Sequence, residues 1–132
     1  MVPLAERKIV FDSDEAFVAA LQSHLGSALQ TVASREDGGY EMLYTREDVT
    51  GRFTPADFNR IHGESLLADE PREDAENVFR AGALNFALYT FDTAVVLQFP
   101  GESGALFVAF DNDDVPLLPI VEVCTEWMQT RA

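Results

Sequence analysis

The stretch from Leu84 to Phe110 constrains the fold more than any other part of the chain. Three apolar segments follow one another there with only turns between them. Leu84, Phe86 and Leu88 alternate with Asn85, Ala87 and Tyr89; Val95, Leu97 and Phe99 mark the inner face of the next segment; Leu106 to Phe110 is the third. Alternation bounded by turn residues is strand sequence. Asp92-Thr93 and Pro100-Gly101-Glu102-Ser103-Gly104 supply the turns. A parallel crossover needs about a dozen residues or more, so these strands are antiparallel neighbours.

The segments before this meander read as two helical regions around a strand. Phe17, Val18, Leu21, Leu25, Ala28, Leu29 and Val32 recur at three- and four-residue spacing, which predicts a helix from Asp14 to Val32. Asp12 or Ser13 can cap it, and Asp14 and Glu15 suit the positive end of its dipole. Arg35 to Gly39 then turns the chain, and Tyr40 to Arg46 reads as a strand, with a second extended piece around Asp48–Phe53. Thr54-Pro55-Ala56-Asp57 opens another helix, with Phe58, Ile61 and Leu66 facing inward. A further helical piece starts at Glu70-Pro71, is anchored by Val78 and Phe79, and is capped by Gly82. After the meander, Ile120, Val121, Cys124, Trp127 and Met128 form the apolar stripe of a last helix over Pro116–Thr130.

The expected architecture is a single α+β domain over residues 1–132. A central antiparallel sheet of four to five strands carries flanking helices in the order α-β(β)-α-β-β-β-α. That order resembles the roadblock and longin group, with profilin a looser relative. Fold resemblance alone does not carry function.

Composition enters through charge. Asp and Glu total 23 against 9 for Lys and Arg, the formal net charge is -14, and Lys8 is the only lysine. An apolar fraction of 47%, with ten Phe and Trp127, still supplies a core, so the chain is not a disordered polyanion. A surface so acidic and so poor in lysine is what working in molar salt demands. The Debye length drops from about 10 Å at 0.1 M to roughly 3 Å at 1 M, and self-repulsion falls with it. The same charge excludes nucleic acid and anionic membrane surfaces as partners, because both require a basic stripe and the nine cations are scattered. No apolar run reaches membrane-spanning length and the first residues carry no signal core, so the expected location is the cytoplasm.

Each candidate for chemistry has an ordinary explanation. Asp111, Asp113 and Glu122 stand at positions one, three and twelve of a calcium loop, but Val115 and Pro116 occupy the places of a ligand and the sharp-turn glycine. Gly101-Glu102-Ser103-Gly104 is one residue short of a nucleophile elbow and precedes a strand, so it is a hairpin turn. His24 borders the stripe of the first helix, which predicts packing, and His62 has no carboxylate at helical spacing. Cys124 is alone and flanked by Glu122 and Glu126, the wrong surroundings for a thiolate. Gly38-Gly39 follows a helix and precedes a strand, the reverse of a phosphate cradle. No catalytic residue, no cofactor and no metal site is assigned.

Two strand stretches carry a family resemblance. Tyr40-Glu-Met-Leu-Tyr-Thr-Arg-Glu-Asp48 and Ala83-Leu-Asn-Phe-Ala-Leu-Tyr-Thr-Phe-Asp-Thr-Ala-Val-Val-Leu-Gln-Phe-Pro100 resemble a family of small haloarchaeal proteins. The resemblance runs from the first helix to the last strand. It implies a salt-adapted protein and transfers no catalytic residue, since no activity is assigned to that family.

The functional expectation is a non-enzymatic interaction or regulatory module, a homodimer or a binder of a protein partner. Asn85, Ala87, Tyr89 and Phe91, with Ala94, Val96 and Gln98, line the meander's second face. That face needs a cover, from another helix or from a partner, and Tyr89, Phe91 and Val96 are the candidate interface residues. In a roadblock-like arrangement a helix or a sheet edge builds the dimer. The alternative is a small-molecule sensor with a pocket between sheet and helix, served by Tyr89 or Asn85. An enzyme would need carboxylates converging on His24 or His62.

Overall fold

The computed structural model describes residues 13–36, 39–49, 57, 60, 69–100 and 104–131. Helix α1 spans Asp14–Leu25 and is capped by Ser13, whose hydroxyl accepts a hydrogen bond from the Ala16 amide at 3.1 Å. Strands β1 (Leu29–Glu36) and β2 (Gly39–Thr45) follow. Helix α2 covers Asp69–Phe79; β3 (Ala87–Thr90), β4 (Ala94–Phe99) and β5 (Gly104–Asp111) form the meander; α3 covers Leu117–Arg131. All five strands lie in one antiparallel sheet of order β2-β1-β5-β4-β3. The β1–β5 pair joins the early hairpin to the late meander. The expected α+β architecture and element order are therefore present.

The first helix corrects the sequence expectation. It stops at Leu25 rather than running to Val32, and the central strand β1 occupies Leu29–Glu36 instead. Gly26 breaks the helix at φ 56, ψ -130, with its amide bonded back to Gln22, and a short 3₁₀ turn leads into β1. β1 sits between β2 and β5, and Leu29 through Ser34 are all buried. A strand buried on both faces shows no polar alternation, so Ala28, Leu29 and Val32 continued the helical spacing by coincidence.

The extended piece expected around Asp48 is likewise a 3₁₀ turn at Glu47–Val49 where it is described. The helix expected from Thr54 lies outside the described residues, apart from Asp57 and Arg60, which are helical. Helix α2 ends as expected in place but not in kind. Arg80 takes the left-handed conformation at φ 52, ahead of Gly82 at φ 90. Val78 and Phe79 do not anchor it and are each 75% exposed. Its half-buried positions are Pro71, Arg72, Ala75 and Glu76.

Helices α1 and α3 pack side by side on one face of the sheet. Phe17 stacks on Trp127 with ring centroids 4.5 Å apart, above Leu29, Val32, Leu97, Leu106, Val108 and Phe110. Burying side chains of this size contributes about 1.5–3 kcal/mol each. The second face holds a smaller cluster of Ala33, Tyr40, Ala105 and Phe107, with Met42 and Val96 packed on its margin. Tyr40 and Phe107 are 5.3 Å apart. These side chains are buried within a single copy, so the centre of this face needs no second molecule to cover it.

Candidate functional site

The acidic loop is consumed by structure. Asp111 ends β5 and accepts hydrogen bonds from Arg46 Nη1 at 2.9 Å and Gln30 Nε2 at 2.8 Å. Arg46 also grips Asp48 through Nε and Nη2, and its Nη1 donates to the Ser27 carbonyl at 2.8 Å. Gln30 reaches the Thr93 carbonyl. This knot ties the start of β1, the end of β2, the end of β5 and the β3–β4 turn. The hydrogen bond from Arg46 holds the Asp111 carboxyl below its ordinary range, against the opposing effect of burial. Asp113 and Asp114 remain exposed, and no group of three or more His, Cys, Asp or Glu side chains among the described residues is placed to hold a metal ion.

The other sequence candidates separate. Burial pushes the Cys124 thiol up to about 12, so it stays protonated at neutral pH. His24 is not packed as expected but exposed, because its place in the last turn of α1 lies at the margin of the buried stripe. Its ring borders a surface groove with Glu122 and Glu126 of α3. His62 lies outside the described residues.

The residues Tyr89, Phe91 and Val96 come together at the β3 end of the sheet. Tyr89 and Val96 are cross-strand partners and both are half-buried. The Tyr89 hydroxyl donates to Gln98 Oε1 at 2.8 Å, and burial raises its pKa. Gln98 is fully buried, so this bond fastens the short β3 strand to β4. Phe91 follows β3 in the turn and is 58% exposed. Its amide donates to the Ala94 carbonyl at 2.7 Å, and its own carbonyl accepts from Asn112 Nδ2 at 2.7 Å.

β3 is an edge strand of this sheet. The Phe91 amide turns toward β4, so alternation turns Ala87 and Tyr89 the same way. The amides and carbonyls of Leu88 and Thr90 then face outward. Leu88 is 38% exposed and Thr90 is exposed. No charged residue lies between Arg80 and Asp92. The other edge is built differently: β2 exposes Glu41 and carries a register shift opposite Val32 and Ala33. Charges and bulges are how sheets keep their edges from pairing, and β3 has neither. The sequence showed the uncharged run but not that it forms an edge.

A groove of about 540 Å³ lies on the opposite face, between α3 and the meander. Phe86 and Phe99 stack at 5.3 Å, and Asn85, Thr125 and Gln129 supply neutral polar groups. Asn85 lines this groove; Tyr89 is on the other face of the sheet and does not.

The fold is of the roadblock and longin type. The chain is similar in structure to Myxococcus xanthus MglB, with a TM-score of 0.58 and 11% sequence identity, over 93% of this chain and 91% of that one. No curated protein matches it in sequence. A family described as a domain of unknown function, DUF7522, matches residues 15–129, and the chain belongs to that family. No helix among the described residues is long and apolar enough to cross a membrane.

Proposed function

We propose that this protein is a non-enzymatic regulatory module that works as a homodimer, two copies pairing through strand β3. The observation that carries the reading is an edge strand that, among the described residues, no further strand pairs with: an uncharged strand with outward backbone groups at Leu88 and Thr90, next to exposed Phe91. A two-fold contact is self-complementary. Antiparallel pairing through the outward groups sets Leu88 against Thr90 of the second copy, Tyr89 against itself and Phe91 over Ala87. Val96 flanks the contact from β4. The acidic, lysine-poor composition supports a setting in the cytoplasm of a salt-adapted cell.

The test is native mass in molar KCl for the wild type, Leu88→Lys and Thr90→Pro. Leu88→Lys adds the charge that guards other edges, and Thr90→Pro removes an outward donor that β4 does not use. The expected result is a wild-type dimer and two folded monomers. Dimers in all three proteins, or a monomeric wild type, would overturn the reading. Val96→Asp is a poorer probe, since Val96 also packs on the second cluster.

The groove beside α3 supports a second reading, a sensor for an uncharged aromatic or aliphatic molecule. Among the described residues its lining carries no charge, in a chain where 24% of residues are charged. A co-purifying small molecule in the same native spectra, lost on Phe99→Ala, is the outcome that would favour it.

A further inference from the structure

We infer that the β3 contact is gated by salt, so that raising ionic strength tightens the dimer; this rests on the reading of β3 as the dimer edge. Interfaces built on opposite charges weaken as salt rises. Here the sign reverses, because the contact and the molecule that carries it have opposite electrostatic characters. Residues 81–91 contain no charge, so salt has no attraction to screen at the contact itself. The two-fold pairing sets Asp92 across from position 86, a phenylalanine, so no like charges meet across the strands.

The whole molecule nevertheless brings a formal charge of -14 to each partner. A compact chain of this length behaves as a sphere of about 18 Å radius. For two such spheres in contact, screened Coulomb repulsion weakens association on the order of a hundredfold more at 0.1 M salt than at 1 M. The repulsion scales with the square of the charge. Lowering it from -14 to -10 therefore halves the logarithm of that effect, to on the order of tenfold. Salting-out of apolar surface also strengthens contacts in concentrated salt, but it does not depend on distant charges.

The experiment measures the dimer dissociation constant by sedimentation across KCl concentrations at which circular dichroism shows the native fold. It compares the wild type with a variant in which Glu15, Glu47, Glu73 and Glu122 are changed to Gln. All four are exposed and none lies in β3 or β2. The expected result is a dissociation constant that falls as KCl rises, with a slope about half as steep in the variant. A dimer whose affinity is flat or weakens with KCl, or an equal slope in both proteins, would overturn the gating while leaving the edge contact standing. A wild type that stays monomeric at every KCl concentration would overturn the edge contact itself, and the gating with it.

Discussion

Asp111 shows how one side chain can decide whether an acidic loop is a site or a brace. Four acidic or amide residues in a row, Asp111-Asn112-Asp113-Asp114, suggest cation binding until their partners are known. Asp111 is committed to Arg46 and Gln30, and Asn112 to the Phe91 carbonyl. What remains is two solvated carboxylates. Because the folded-state pKa of Asp111 is depressed, its contribution is complete above the unfolded carboxylate value of about 3.9 and is lost as pH falls through the folded value. Asp111→Asn should cost about 1–2 kcal/mol at pH 7, from weaker hydrogen bonds to Arg46 and Gln30. Thermal melts of both proteins down to pH 3 should show that gap closing below about pH 4, while the other carboxylates affect both alike.

At the scale of elements, the junction from α1 to β1 depends on Gly26. At φ 56 and ψ -130 a side chain is strained whatever space surrounds it, and a Cβ there would meet nothing within 4 Å. Gly26→Ala therefore isolates a conformational cost of roughly 1–3 kcal/mol, without a packing term. A urea titration should show a lower midpoint with an unchanged slope. The same junction was the least legible part of the chain. The glycine stood in plain view, but the spacing of Ala28, Leu29 and Val32 outweighed it, because a strand covered on both faces has no period of its own. The meander was legible as three antiparallel strands, since β4 has a buried and a half-buried side and its turns are short, but its first strand begins at Ala87 rather than at Leu84. Val78 and Phe79 show the converse: apolar residues at helical spacing that the fold leaves outside.

At the scale of the whole molecule, charge is expected to make stability depend on salt. With a net charge of -14 the native state repels itself, and screening by molar salt removes most of that repulsion. The midpoint of thermal unfolding should rise steeply between 0.1 M and 2 M KCl, measured by circular dichroism at fixed pH. The Glu15, Glu47, Glu73 and Glu122 to Gln variant should melt higher than the wild type at low salt and close to it at high salt. An equal midpoint for the wild type in both salts would remove the physical basis of the salt-adapted reading.

The sequence alone determined the α+β class, the antiparallel meander, the last helix and the electrostatic character, because these follow from local periodicity, turn length and a sum over charges. It also brought Tyr89, Phe91 and Val96 to notice as a group. Only the tertiary structure decided that β1 is the centre of the sheet, that the second face is already covered at its middle, and that Ala87–Thr90 is an edge. Those facts depend on which strands lie beside one another, and the β1–β5 pairing joins residues far apart in the chain. Local spacing carries no record of such a neighbour, so the covered face and the edge strand became distinguishable only in three dimensions.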